Sequence, residues 1–358
     1  MSSFPGIRDL LLVAYDNGAR SDEEFLVLWE DYRSKNPYFP YDFYERFDLE
    51  TMNEDECIAE FRMRKQDIPI VVDALQLPAT IQCSQRTICD ADEALCMLLR
   101  RFCYPCRYSD LIGRFGRPVP ELCMITNTLM DYIFDNHCHR ISQWNYDILN
   151  PLMLQEYADA IFAKGAPLSN CFGFVDGTVR PISRPGKNQR IVYNGHKRVH
   201  SLKFQSVALP NGLIGHMYGP VEGKRHDAFM LMESNILHEL ENNAFSPTGQ
   251  AMCMYGDPAY PLRVHLQAPF RNGVLTPMME EYNSRMSSVL SSVEWLFGEI
   301  INDFKFLDFK KNLKLNLSCV GKMYLVCAFL KNVITCLYGN TTSEFFGLDP
   351  PSIYYYLN

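Results

Sequence analysis

Cys171-Phe172-Gly173-Phe174-Val175-Asp176-Gly177-Thr178 is an apolar run closed by a carboxylate, and from Asn170 onward the apolar period is that of a strand. Cys171 to Ile182, Val199 to Leu209 and Gly212 to Gly219 read as three consecutive strands, separated by Pro, Gly and Asn turn residues. Asp227 to Asn243 then reads as helical, Ala251 to Gly256 as a fourth strand, and Met278 to about Phe304 as a long helix.

Three strands, a helix, a strand and a helix is the order of a ribonuclease H-like fold, an α/β class with a mixed sheet and flanking helices. Upstream, Phe61 to about Asn145 has helical spacing. Asp67 to Leu75 places Ile68, Val71, Val72 and Leu75 on one face. Asp90 to Phe102 opens with acids and closes with Arg100-Arg101, which suits the helix dipole at both ends. Tyr108 to Phe115 reads as a short helix, Gly116-Arg117-Pro118-Val119-Pro120 as a turn, and Glu121 to Asp135 as a long amphipathic helix. This is the outline of a helix-turn-helix, and equally of a helical bundle that supports the domain after it. The second helix has no basic residue between Glu121 and Asn136. The expected organisation is an aromatic and acidic N-terminal extension over 1–56, an all-α, helix-turn-helix-like domain over 57–150, the α/β domain over 171–335, and a C-terminal tail over 336–358.

With 358 residues, 47% of them hydrophobic and 21% charged, the chain is that of a globular protein. Its net charge of -8 is the wrong sign for coating DNA non-specifically, so any DNA contact must come from a local basic surface. Thirteen cysteines, an odd count at irregular spacing, read as small buried hydrophobes. The pair in Cys103-Tyr104-Pro105-Cys106 lacks a second such pair at zinc-ribbon spacing. Met1 to Tyr15 shows no cleavage-site pattern, and the apolar stretch from Met323 to Tyr338 is interrupted by Lys331 and Asn332. These features lead us to expect an intracellular chain with no membrane partner.

The chemistry is carried by four acids. Asp176 closes the first strand, Asp227 ends Gly223-Lys224-Arg225-His226-Asp227, Asp257 follows the fourth strand, and Glu294 lies in Ser292-Val293-Glu294-Trp295-Leu296-Phe297-Gly298. Carboxylates at the ends of apolar strands are costly to bury unpaired, and a divalent cation is a natural partner. The apolar neighbours of Glu294 make it the sharpest case, since a charge sunk among them needs a cation to meet it. Between Gly177 and Val221 there is no Asp or Glu. The same stretch holds Arg180, Arg184, Lys187, Arg190, His196, Lys197, Arg198, His200 and Lys203. A basic segment that begins at a candidate metal ligand suits the positioning of phosphates, and Tyr193 to Arg198 is expected to form a turn aiming its cations at the metal edge of the sheet.

Taken in order, Val175-Asp176-Gly177-Thr178, Tyr193-Asn194-Gly195-His196-Lys197, Gly223-Lys224-Arg225-His226-Asp227, Gly256-Asp257-Pro258-Ala259-Tyr260-Pro261 and Val293-Glu294-Trp295-Leu296-Phe297-Gly298 resemble the PIF/Harbinger group of DDE transposases, whose relatives include domesticated transposase-derived nucleases. The resemblance spans about residues 60 to 340. It implies a DDE endonuclease with Asp176, Asp257 and Glu294 as catalytic triad, Asp227 as an additional metal-site acid, and Mg2+ or Mn2+ as cofactor in a two-metal mechanism. It implies DNA as substrate, held by Arg184, Lys187, Arg190, His196, Lys197 and Arg198. It further implies a homo-oligomer on DNA, a nuclear location and a Myb/SANT-like companion that supplies DNA binding. The chain departs from the group's pattern at Val179, Leu290 and Ile300-Ile301, where the group commonly has His, Arg and Lys. Loss of those cations fits the alternative implied by the same resemblance, a domesticated DNA- or protein-binding factor that keeps the fold.

Overall fold

The computed structural model describes residues 4–31, 38–271, 273–315 and 317–357. Two N-terminal helices, α1 (Phe4–Asp16) and α2 (Asp22–Asp31), pack on each other, with the Tyr15 and Phe25 rings stacked at 4.4 Å. Further along the N-terminal extension, Phe47 meets Phe61 and Phe115, so the chain joins the main core before residue 56.

The helical part begins with α3 (Glu54–Phe61), capped by the Asn53 side chain, and α4 (Asp67–Ala74). A small antiparallel hairpin follows, β1 (Thr80–Gln82) and β2 (Ile88–Asp90), where the sequence reading had only helices. Next come the deeply buried α5 (Ala91–Cys103), the short α6 (Ile112–Phe115), α7 (Val119–His137), α8 (His139–Ser142) and α9 (Pro151–Ala163). The turn between α6 and α7 is a structural joint. A Cβ at Gly116, whose φ is +56°, would lie 2.4 Å from the Glu45 carbonyl oxygen, so only glycine fits. Arg117 in the same turn is buried and forks onto Glu93 with two 2.7 Å contacts, and it reaches Glu121 at 3.1 Å. Its charge is consumed inside the protein.

The main sheet holds β3 (Cys171–Pro181), then, after the one-turn α10 (Gln189–Val192), β4 (Tyr193–Asn194), β5 (Val199–Ala208), β6 (Ile214–Glu222), β7 (Cys253–Gly256) and β8 (Leu266–Gln267). Across the sheet the order is β6-β5-β3-β7-β8, and β4 also pairs with β5. Strand β5 runs antiparallel to both of its neighbours β3 and β6, whereas β7 runs parallel to β3 and β8 parallel to β7. The four strands read from sequence are all present, with ends shifted by a few residues. The expected helix from Asp227 to Asn243 is two helices, α11 (Asp227–Glu233) and α12 (Ile236–Asn243), because Asn235 adopts the left-handed conformation at φ +56° and breaks the register.

Three further elements close the sheet: α13 (Pro277–Asp303), α14 (Val320–Tyr338) and α15 (Thr341–Phe346). The chain ends in α16 (Ile353–Leu357). By length and composition α14 is apolar enough to cross a membrane, and 83% of its most apolar window is buried inside the protein. Two of its polar residues, Lys331 and Asn332, are tied within the core. Lys331 Nζ lies 2.9 Å from both Glu299 and Asp303 of α13, and Asn332 exchanges hydrogen bonds with both backbone groups of Ile214 at the start of β6. Within the expected tail, Phe346, Ile353, Tyr356 and Leu357 are buried and belong to the same apolar cluster as the helical part.

Candidate active site

Strand β3 pairs with β5 without a bulge from Phe174 to Pro181, so side-chain alternation along it is strict. Phe174, Asp176, Thr178 and Arg180 share one face. There Phe174 stacks on Phe346, Phe204 (opposite Thr178) meets Tyr324 at 4.3 Å, and Arg180 Nε donates to the Tyr324 hydroxyl at 3.1 Å. Helices α13 to α15 cover this side. Gly177 and Val179 point the other way, beside Gln205 and Lys203, which reach Ser234 and Asp227 around α11. Asp176 is therefore aimed at the α13 side of the sheet.

Asp257 joins it by register. Val175 and Gly256 are partners in the parallel pairing of β3 and β7, so Asp176 and Asp257 are the next residue on two adjacent parallel strands. Tyr255, partner of Phe174, meets Tyr282 of α13. Beyond Gly256 the chain turns tightly: the Ala259 N–H donates to Asp257 Oδ1 at 2.8 Å and the Tyr260 N–H to the Asp257 carbonyl at 3.2 Å. A Cβ at residue 256 would sit 2.7 Å from the Tyr260 ring and 2.9 Å from Val175, which accounts for the glycine.

Burial pushes the Asp176 carboxyl up to about 6, and the charges of Asp257, Asp227 and Glu294 add to it, against one hydrogen bond from the Gly177 N–H. Asp257 is raised by burial and by Asp227, against the Ala259 N–H and the cations Arg271 and Lys203. The Tyr260 phenol is driven up by burial and by the charges of Asp227, Asp176 and Asp257. Its hydroxyl is buried with no hydrogen-bond partner, in a residue only 4% exposed. A buried donor left unmade beside carboxylates is a mark of a ligand position.

Asp227 opens α11 and lies against the opposite side of β3. A Cβ on Gly177 would be 2.5 Å from its Oδ1. Its counter-charge comes from the chain itself, since Lys203 Nζ is 2.6 Å away and also donates to the Arg225 carbonyl. Glu294 corrects the sequence reading. It is exposed on α13, while Leu296 and Phe297 turn to the core, so it is not sunk among its apolar neighbours. Among the described residues no three His, Cys, Asp or Glu side chains close into a metal-holding group. Asp227 approaches β3 from the Gly177 side, and Glu294 is exposed on α13. The donor chemistry still suits a hard divalent ion, with all-oxygen ligands at Asp176 and Asp257 and the orphan Tyr260 hydroxyl nearby.

The six expected DNA-contacting residues, Arg184, Lys187, Arg190, His196, Lys197 and Arg198, are all exposed. The turn that carries the last three is held by Asn194, whose Oδ1 accepts from the Lys197 N–H and whose Nδ2 donates to the Gly223 carbonyl. It does not aim at the acids. The Ile182 N–H donates to the His200 carbonyl, so the hairpin flanks the far end of β3. At about 3.3 Å per residue that end is roughly 20 Å from Asp176. The sequence reading did not single out Tyr260, Lys310 or Lys311 as site residues, and it counted Lys203 only as part of the basic segment. Tyr260 was visible as the fourth residue of Asp257-Pro258-Ala259-Tyr260, but nothing in the sequence shows its hydroxyl unpartnered.

No curated protein and no solved structure matches the chain. A family model does. The family described as DDE superfamily endonuclease matches residues 175–332, which includes Asp176, Asp227, Asp257 and Glu294. The segment from Val175 to Asn332, holding the sheet from mid-β3 onward and the helix that carries Glu294, is thus similar to the DDE superfamily endonucleases.

Proposed function

We propose that this protein is a metal-dependent DNA endonuclease of the PIF/Harbinger type, with Asp176, Asp257 and Glu294 as its catalytic acids. The observation that carries the reading is the placement of Asp176 and Asp257 directly after in-register residues of adjacent parallel strands, on the side of the sheet covered by the helix bearing Glu294. The strand order, with three antiparallel strands followed by two parallel ones, supports a ribonuclease H-like fold for the segment. The match to DDE superfamily endonucleases supports the reaction class.

Asp176, Asp257 and Glu294 would hold divalent Mg2+ or Mn2+, whose chemistry there would be to lower the pKa of an attacking water and to balance charge on the leaving 3' oxygen. The chain's own contribution is positional. The β3–β7 register fixes the spacing of two carboxylates, and the turn from Asp257 to Tyr260 holds the second in place. Lys203 pairs with Asp227 on the other face, where Asp227 packs against the strand and stands as an outer acid of the site. Arg184, Lys187, Arg190, His196, Lys197 and Arg198 offer cations to the phosphate backbone. In this reading the protein acts in the nucleus, as a homo-oligomer on DNA, with a Myb/SANT-like companion that recognises the target.

A second reading, a domesticated binding factor, is favoured by Ile300. At that position, where the resembling group commonly places a Lys nearby, the side chain is fully buried in the core. Cleavage of duplex DNA in Mn2+ by the parent chain, and its loss in Asp257→Asn with the fold retained, tests the first reading. A purified Asp257→Asn protein that cuts as well as the parent removes it.

A further inference from the structure

The far end of the β3–β5 pair carries a cleft that the four acids do not explain. Its volume is about 260 Å³, and it is lined by Ile182 and Ser183 after β3, by Arg184, by Arg198, Val199 and His200 at the start of β5, and by Lys310 and Lys311. Those two lysines come from the segment after α13, more than a hundred residues along the chain, so the cleft is assembled by tertiary structure. The backbone closes the junction: the Ser183 N–H donates to the Leu313 carbonyl, and the Ile182 N–H to that of His200.

Four permanent cations face one concavity, and no acid is among its lining residues. Among the described residues none of Arg184, Arg198, Lys310 and Lys311 takes part in an ion pair; Arg184 donates only to the neutral Gln189 amide. Like charges converging on a recess repel one another, and in a chain of net charge -8 acids were plentiful to neutralise them. The backbone at Arg198 is itself held at φ +54°, a conformation disfavoured for a side-chain-bearing residue, in the turn that Asn194 anchors. A fixed concave group of guanidinium and ammonium donors without internal partners is a receptor for an oxyanion.

We propose that this cleft seats a backbone phosphate of DNA at a distance from the acids. It rests on the endonuclease reading above, and it adds Lys310 and Lys311 as contacts and a measure of where they fall. The strand between Asp176 and Ile182 spans roughly 20 Å, and successive phosphates on one strand of a duplex rise by about 3.4 Å. The seated phosphate is therefore about six nucleotides from the one at the acids. At that remove the cleft fixes the direction of the duplex across the sheet and takes no part in the chemistry.

The test uses the full chain carrying Asp176→Asn, so that bound DNA is not cut, with and without Lys310→Ala and Lys311→Ala. The affinity for a 30-base-pair duplex is followed by fluorescence anisotropy across a salt series. Loss of two phosphate contacts should weaken binding at least tenfold at about 0.1 M salt and flatten the slope of log affinity against log salt by about 2. Both lysines are exposed, so the melting temperature should not change, and a Lys310→Gln, Lys311→Gln protein should repeat the result. An unchanged slope in both double variants overturns the proposal. So does heat protection by millimolar inorganic phosphate that the double variants lose while DNA affinity stays the same, because the cleft would then hold a free anion. If the Asp176→Asn protein with both lysines intact binds no DNA even at low salt, the proposal also falls, whereas the endonuclease reading stands or falls separately on cleavage by the parent chain and its loss in Asp257→Asn.

Discussion

Lys203 Nζ lies 2.6 Å from Asp227 Oδ1, across the face of β3 opposite to the one that carries the Asp176 side chain. The sheet therefore separates two kinds of acid. Asp227 is paired with the chain's own lysine, and Asp176 lies among carboxylates, with the Gly177 N–H donating to it.

Breaking the first arrangement should be costly. Lys203 is 5% exposed, and Lys203→Met leaves Asp227 packed against Gly177 without a cation. The expected loss is about 3 kcal/mol of unfolding free energy in urea, the lower end for a buried pair because Asp227 retains some solvent contact. Pairing the change with Asp227→Leu should recover most of it. A single-variant loss below about 1 kcal/mol would mean that the ion pair holds nothing.

The second arrangement should show in the pH dependence of stability. Asp176 has its carboxyl raised from 3.8 to about 6, so between those values the folded chain binds more protons than the unfolded one. Without divalent metal, stability should fall as pH rises from about 4 to about 6 and level off above that, by about 2 to 3 kcal/mol. Asp257, raised in the same direction, adds to the slope. Asp176→Asn should flatten most of it and be the more stable protein at pH 7. Melting curves in metal-free buffer from pH 4 to 7.5 decide this, and a parent whose stability rises with pH over that window refutes it.

A cation that binds only the folded chain should raise its melting temperature. At a concentration of about a hundred times its dissociation constant, Mn2+ contributes about 2.7 kcal/mol. The rise of a few degrees is expected in the parent and not in Asp176→Asn. Equal responses in the two proteins would place the ion elsewhere.

Tyr260 separates a ligand-facing hydroxyl from a merely packed ring. Tyr260→Phe keeps the ring against Gly256 and removes a buried donor that has no partner, so without metal the variant should be as stable as the parent or about 1 kcal/mol more so. Its Mn2+ affinity, read by calorimetry, should fall about tenfold, the worth of one hydrogen bond to a charged site. Lost stability with unchanged metal affinity would assign the hydroxyl to packing.

Much of the sheet was legible along the chain. β3 opens on an apolar run, β5 alternates Leu202 and Phe204 with Lys203 and Gln205, and β7 follows the apolar Met252 with Cys253, Met254 and Tyr255, so each shows in local pattern. β1, β2 and β8 were not legible, since strands of two or three residues carry too few side chains to display a period. The break at Asn235 was hidden because Asn is tolerated in a helix and its left-handed conformation is a property of the backbone. Glu294 was misjudged for a related reason: apolar neighbours along a helix project in other directions, and Leu296 and Phe297 fill the core while the glutamate faces out.

By itself the sequence determined the identity of the acids, the order of the strands that carry them and the local excess of positive charge, because these depend on residue type and on periods of a few residues. Tertiary structure alone decided that Asp176 and Asp257 follow in-register partners, that Asp227 belongs to Lys203, that the Tyr260 hydroxyl is left without a partner, and that Lys310 and Lys311 meet Arg184 and Arg198 around one cleft. Each of those facts is a distance between side chains far apart in the chain, and distance is set by strand register and helix packing, which no local pattern encodes.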